Sequence, residues 1–150
     1  YPWLINPHAT VPMVAEQFQR YLEMLKQAGQ PTPQTLPMMR ELYVAWDRET
    51  AYQESRPYLE SKYAAYAAWG QDKALPGEES FSIPYSDLAR DRFLMGSPDD
   101  VAQEMLRYRD ELGVNHLIFR MQWPGIEQEK VLRQIDLMGR EVIPRVKAMA

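Results

Sequence analysis

Three stretches of the chain carry side chains that could do chemistry. In the run His116-Leu117-Ile118-Phe119-Arg120-Met121-Gln122-Trp123, Arg120 and Gln122 alternate with Phe119, Met121 and Trp123. Alternate residues of a strand share a face, so Arg120 and Gln122 point the same way as Ile118. Charged groups are hard to bury under helices unless paired, which turns this face away from a covering helix layer. Arg120 then lines a pocket, or pairs with a buried carboxylate such as Glu41, or does both. Trp123 either walls that pocket or packs on the last helix. The second stretch is Asn6-Pro7-His8. The His8 imidazole could act as an acid, a base or the neighbour of a bound cofactor. The alternative is a plain turn, because Asn-Pro favours one. The third is Ser97-Pro98-Asp99-Asp100 at a helix start. Such a terminus can cradle phosphate, but two aspartates already occupy its positive end and make an ordinary cap the better reading.

Other chemistry is excluded by composition. The chain has no cysteine, so thiol nucleophiles, disulfides and thiolate-bound metals are out. Its two histidines, His8 and His116, cannot alone supply the three ligands of a typical catalytic zinc site. With 17 Lys+Arg against 21 Asp+Glu the formal net charge is −4, which argues against a nucleic-acid partner. No apolar run approaches the roughly 18 residues of a membrane span. Nothing resembles a signal peptide, so a cytoplasmic location is expected. The chain opens at Tyr1 without an initiator Met, which reads as the middle of a longer protein.

The elements that must position these residues alternate. Trp3-Leu4-Ile5 reads as a short buried strand. A helix follows, with Val14, Phe18, Leu22 and Leu25 on one face, Thr10 as N-cap and Gly29 at the left-handed C′ position. Met38–Ala45 reads as a second strand, with Arg40 and Glu41 inside it. Asp47–Trp69 is helical, with an aromatic face of Tyr52, Tyr63, Tyr66 and Trp69 that serves as core or interface, and Pro57 should kink or divide it. Residues 71–91 show little periodicity and read as a long loop. Ser97 caps a third helix that Gly113 ends. His116–Trp123 is the third strand. The last helix, Glu127–Met149, carries a stripe of Val131, Ile135, Met138, Val142 and Val146, and Pro144 should bend its final turns. Strand–helix alternation implies parallel strands joined by right-handed crossovers. Three such units are too few for the about 250 residues of a (β/α)8 barrel and match its last part. The expected fold class is therefore α/β, the C-terminal part of a TIM barrel comprising about strands six to eight. Residues 1–150 form one segment of a single barrel domain, with an insertion at about 47–91.

Taken in order, four segments carry a family resemblance. They are Trp3-Leu4-Ile5-Asn6-Pro7, Arg40-Glu41-Leu42-Tyr43-Val44-Ala45, Asp91-Arg92-Phe93-Leu94-Met95-Gly96-Ser97-Pro98-Asp99-Asp100-Val101, and His116-Leu117-Ile118-Phe119-Arg120 with Gln122-Trp123-Pro124-Gly125. Together they resemble the C-terminal end of the luciferase-like flavin- or F420-dependent monooxygenases. The resemblance implies an oxidoreductase acting on a small organic substrate, with reduced FMN and oxygen or with F420 as hydride carrier. It implies a flavin at the carboxyl ends of the strands, a possible separate flavin reductase, and a homo-oligomer. Arg120, Gln122, Trp123, Asn6 and His8 become candidates for cofactor binding or pocket lining. Phe81 and Tyr85, in the long loop, become lid candidates that would exclude water. Most catalytic groups would lie in the strands that precede this segment, and no residue here is named as catalytic. A reading of another class stays open: a stand-alone α/β binding or interaction module, whose open sheet edges would favour association.

Overall fold

The computed structural model describes residues 3–77 and 79–149; Tyr1, where the chain opens, lies outside them. Its centre is strand β1 (Pro37–Val44), which pairs in parallel with two others. β3 (His116–Arg120) runs along Pro37–Glu41 and sets Met39 beside Ile118 and Glu41 beside Arg120. β2 (Leu94–Gly96) runs along Leu42–Val44. The expected first strand contracts to one parallel bridge between Ile5 and Met38. In it Ile5 N–H donates to Pro37 O at 3.0 Å and Met39 N–H to Ile5 O at 2.8 Å. Ala45 N–H donates to Gly96 O at 3.1 Å. Backbone groups of alternate residues face one edge, so Ile5 and β2 share one edge of β1 and β3 takes the other. The three expected strand regions therefore lie side by side in chain order, all parallel, as a barrel requires. β2 is an addition that sequence patterning did not separate from the helix start that follows.

Helices α1 (Val11–Gln27), α4 (Pro98–Leu112), α5 (Gln128–Leu137) and α6 (Ile143–Met149) build one core with Met38, Leu42 and Val44 of β1. The other core joins Tyr43 and Ala45 to α2 (Arg48–Ala68), α3 (Tyr85–Ala89) and Trp123. The alternation of β1 thus divides the molecule: even-numbered residues meet the α1/α4/α5 layer, odd-numbered residues the α2 side.

Local chemistry explains the boundaries. Ser97 Oγ accepts from Asp100 N–H at 3.2 Å, and Asp100 Oδ2 accepts from Ser97 N–H at 2.9 Å, a reciprocal cap for α4. Gly96 makes this possible: with φ at 152°, a Cβ there would lie 2.6 Å from Asp100 Cβ. Thr10 stands at the N-cap of α1 but its side chain caps nothing. The Val11 N–H already donates to Asp91 O at 2.8 Å and Pro12 has no N–H, so fewer donors need a cap.

Several expectations need correction. α2 runs through Pro57 without dividing. Pro57 lies on its exposed side, where water can satisfy the carbonyl that loses its partner. Of the aromatic face expected as core or interface, Tyr63 is buried in the core, while Trp69 is 71% exposed at the end of that helix. Residues 71–91 hold a 3-10 turn at Asp72–Ala74 and helix α3, and are not a plain loop. β3 ends at Arg120, short of Trp123. The last helix contains a π turn at Met138–Val142, closed by Ile143 N–H donating to Met138 O. It sits just before Pro144, which cannot donate to Arg140 O. Ile135 is 53% exposed instead of buried, because its stripe borders an open apolar groove.

Candidate active site

The site grows from the register of β1 on β3. Opposed residues of a parallel pair share a face, so Glu41 and Arg120 stand side by side on the α2 side of the sheet. Glu41 is 0% exposed, and a buried carboxylate needs partners. It has three. Lys62 Nζ, from α2, donates to Oε1 as a buried ion pair. Arg120 Nη1 lies 3.5 Å from the same oxygen. The Trp123 indole Nε1–H donates to Oε2 at 2.6 Å. Arg120 ends β3 and Trp123 lies just beyond it, on the carboxyl side where α/β barrels hold their sites, while Glu41 reaches them from within β1.

Aromatic rings frame this cluster. Trp123 stacks on Tyr43 with centroids 6.0 Å apart and 17° between planes. Arg120 Nη1 donates to the Tyr66 hydroxyl at 3.5 Å. The Lys62 ammonium lies 5.4 Å from the Tyr66 ring centroid and 5.8 Å from that of Tyr63. His8 meets Tyr66 edge-on at 5.1 Å between centroids and lies 6.2 Å from Phe81. Beside Tyr66 and Trp123 a cavity of about 380 Å3 opens, lined among others by Lys62, Tyr66, Trp69, Arg120, Gln122 and Trp123. That volume lies in the range of small-molecule sites, roughly 300–1,000 Å3.

Charge around the cavity is unbalanced: two cations, Lys62 and Arg120, face one carboxylate, Glu41. Burial holds the Lys62 ammonium below its usual pKa, with Arg120 pushing the same way and Glu41 opposing. Burial and then Lys62 hold His8 below the usual imidazole value, so its ring is neutral near pH 7. Burial raises the Tyr63 phenol well above its ordinary range. The site can therefore receive an anionic group beside flat aromatic walls.

The remaining candidates divide. Gln122 is exposed at the cavity rim, its Nε2 donating to Trp123 O at 3.4 Å. Asn6 is exposed and serves its own turn, Oδ1 accepting from His8 N–H at 2.9 Å. Phe81 and Tyr85 are buried in the second core, not draped over a surface. Asp72 Oδ2 accepts from Phe81 N–H at 3.3 Å, and Tyr85 Oη meets Ser55 Oγ at 2.9 Å. Lys62 was missed by sequence reasoning. Its signal was its place one turn from both Tyr58 and Tyr66 on the helix, where a lone cation among tyrosines marks a buried partner. Among the described residues no cluster of His, Asp and Glu could hold a metal ion. No described helix is long and apolar enough to cross a membrane.

Comparison with known proteins gives this geometry a context. The chain is 35% identical over 69 residues to an F420-dependent glucose-6-phosphate dehydrogenase of Rhodococcus hoagii (strain 103S), covering 46% of this chain and 19% of that protein. It is 31% identical over 72 residues to the protein of the same description from Segniliparus rotundus, covering 48% and 20%. The monooxygenase RslO1 from Streptomyces bottropensis superposes with a TM-score of 0.66 at 17% identity, covering 96% of this chain and 41% of that one. An F420-dependent secondary alcohol dehydrogenase in complex with an F420-acetone adduct gives 0.65 at 16% identity, over 97% and 42%. The FMN complex of the oxygenating constituent of 3,6-diketocamphane monooxygenase from Pseudomonas putida, a type II Baeyer-Villiger enzyme, gives 0.60 at 15%, over 89% and 40%. No family model matches. The chain is thus similar to the luciferase-like flavin- and F420-dependent enzymes, as the sequence resemblance implied. Its fold is α/β, that of part of their TIM barrel, and it spans 19–20% of the length of these curated relatives.

Proposed function

We propose that residues 1–150 are the C-terminal segment of a luciferase-like oxidoreductase that uses FMN, or alternatively F420, on a small organic substrate. The observation that carries this reading is the Glu41–Lys62–Arg120–Trp123 cluster beside a cavity at the carboxyl ends of parallel strands. The residues fit a flavin or deazaflavin. Tyr66, Trp69 and Trp123 supply flat apolar walls, while Lys62 and Arg120 leave one positive charge beyond what Glu41 neutralises. Arg120, with 38% of its side chain exposed, would hold an anionic part of the cofactor or substrate, and Gln122 would donate from the rim. When bound, the cofactor would supply the hydride or oxygen chemistry. This chain's part is to orient the ring and keep out water. Glu41 fixes the Lys62 ammonium, the Arg120 guanidinium and the Trp123 indole at once, so the wall is set before anything binds. Phe81 would back His8, which in turn meets the Tyr66 wall, while Asn6 holds the His8 turn and Tyr85 stays packed in the second core.

The F420 alternative rests on the sequence likeness to F420-dependent dehydrogenases; the FMN reading rests on the fold shared with FMN-binding monooxygenases. Under the FMN reading a separate flavin reductase would supply reduced cofactor. We read residues 47–91 as an insertion in one barrel domain, the assembly as a homo-oligomer, and the location as cytoplasmic. The test is binding and turnover in the full chain with each cofactor. Saturable binding of reduced FMN with oxygen uptake supports the first reading, and anaerobic bleaching of F420 with an alcohol or sugar-phosphate substrate supports the second. Binding of neither overturns both.

A further inference from the structure

The loop that carries His8 is held in an unusual way. Three consecutive carbonyl oxygens each accept a hydrogen bond from a different buried side chain. Arg40 Nη1, from β1, donates to Asn6 O at 3.1 Å. The Tyr63 hydroxyl, from α2, donates to Pro7 O at 3.4 Å. Arg92 Nε, from the turn after α3, donates to His8 O at 2.8 Å. Arg92 is 1% exposed and also donates to Leu88 O and, at 2.7 Å, to Glu79. Arg40 is wholly buried, with a guanidinium 5.6 Å from the Tyr108 ring centroid, and its Nε and Nη2 have no hydrogen-bond partner among the described residues. A turn needs no such investment for its own sake. Desolvating two guanidinium groups is costly, and a neutral donor would satisfy a carbonyl as well.

The same Tyr63 hydroxyl lies 3.4 Å from His8 Nδ1. A phenol has one proton. If that proton goes to Pro7 O, the oxygen can offer His8 only a lone pair. A bare Nδ1 would then face the oxygen lone pair to lone pair, which favours the proton on Nδ1 and leaves the lone pair on Nε2, a nitrogen with no hydrogen-bond partner among the described residues.

We propose that Arg40, Tyr63 and Arg92 are positioning residues: they lock the Asn6–His8 backbone so that Tyr63 selects the Nδ1–H tautomer of His8 and leaves Nε2 as a proton acceptor beside Tyr66, a wall of the proposed cofactor site. The groups around the ring are Lys62, Tyr63 and Tyr66 from α2, Glu41 from β1, Arg120 from β3, and Arg92 and Phe81 from the segment that follows α2. This surrounding keeps the ring neutral near pH 7, as a tautomer choice requires. The role of Nε2 rests on placing the cofactor beside this cluster; the tautomer itself does not.

The experiment is long-range 1H–15N correlation on histidine-labelled full chain without cofactor. His116, exposed at the head of β3, is the internal reference. The expected wild-type signature at His8 is a protonated Nδ1 and an unprotonated Nε2. Tyr63→Phe removes only the hydroxyl and should move the tautomer ratio by about fivefold toward Nε2–H, the size set by one neutral hydrogen bond. Arg92→Lys keeps the charge but cannot span His8 O, Leu88 O and Glu79, and should move the ratio in the same direction. An Nε2–H signature in the wild type, or a ratio unchanged by Tyr63→Phe, overturns the proposal. A ratio moved by Tyr63→Phe but not by Arg92→Lys overturns the clamp by Arg92. Because no cofactor is present, failure here leaves the oxidoreductase reading standing, and failure of cofactor binding leaves the clamp standing.

Discussion

The Trp123 indole donates a 2.6 Å hydrogen bond to Glu41, a wholly buried carboxylate on the neighbouring strand. Glu41 thereby joins β1 to β3 and to α2, since it also pairs with Arg120 and Lys62. Glu41→Gln keeps the shape but strands the buried Lys62 ammonium without a counter-charge. Removing one partner of a buried pair costs on the order of 3 kcal/mol. Urea unfolding of Glu41→Gln should show a loss of that size. Lys62→Met with Glu41→Gln should recover part of it, because the stranded buried ammonium is then gone as well.

Gly96 meets Asp100 closely enough that a methyl group has no room. Gly96→Ala should destabilise by about 2 kcal/mol or more through overpacking and an unfavourable backbone angle. Ser97→Ala removes only the cap and should cost about 1 kcal/mol. Thermal unfolding of the two variants should rank them in that order.

His8 gives the stability a pH signature. Its folded pKa lies below the unfolded reference of 6.5, so between the two values the unfolded state binds more protons. Stability should therefore fall as pH drops below 6.5 and level off once the folded form is protonated. His8→Asn should flatten this part of the curve. Denaturant midpoints measured between neutral and mildly acidic pH check it; a slope of opposite sign in the wild type would refute the assignment.

Among the described residues β3 pairs only with β1, and its outer side adjoins an apolar groove of about 760 Å3 lined by Leu117, Phe119, Met121, Ile135, Ile143 and Val146. An open parallel edge beside an apolar groove favours association. Light scattering of the 150-residue chain should show mass rising with concentration. Ile143→Glu, at a position 41% exposed, should reduce that rise with little loss of stability. A monomer at all concentrations would contradict this.

What the sequence made legible was local. The Ser97-Pro98-Asp99-Asp100 cap, the left-handed Gly29 and the helix-ending Gly113 are short-range patterns, and each reappears in the structure; the alternation holds as far as Arg120, while Gln122 lies beyond the strand. Pairing of Arg120 with Glu41 was readable because buried charge demands a partner. Lys62 was overlooked although its place between Tyr58 and Tyr66 was a signal; Arg92 was not readable, because it sits in an aperiodic turn and its His8 partner lies 84 residues away. Ile135 misled because periodicity marks an apolar stripe without saying whether anything covers it. Leu94–Gly96 hid because a three-residue strand has no periodicity to detect.

The most direct test of the account is the fluorescence of Trp123 with every other tryptophan of the protein, Trp3, Trp46 and Trp69 among them, replaced by Phe. Titration with FMN and with F420 should quench its emission saturably for one of them, and Arg120→Ala should weaken that binding about tenfold, the loss of one charge-assisted contact. Cofactor binding that leaves Trp123 emission unchanged would place the flavin elsewhere and contradict the account.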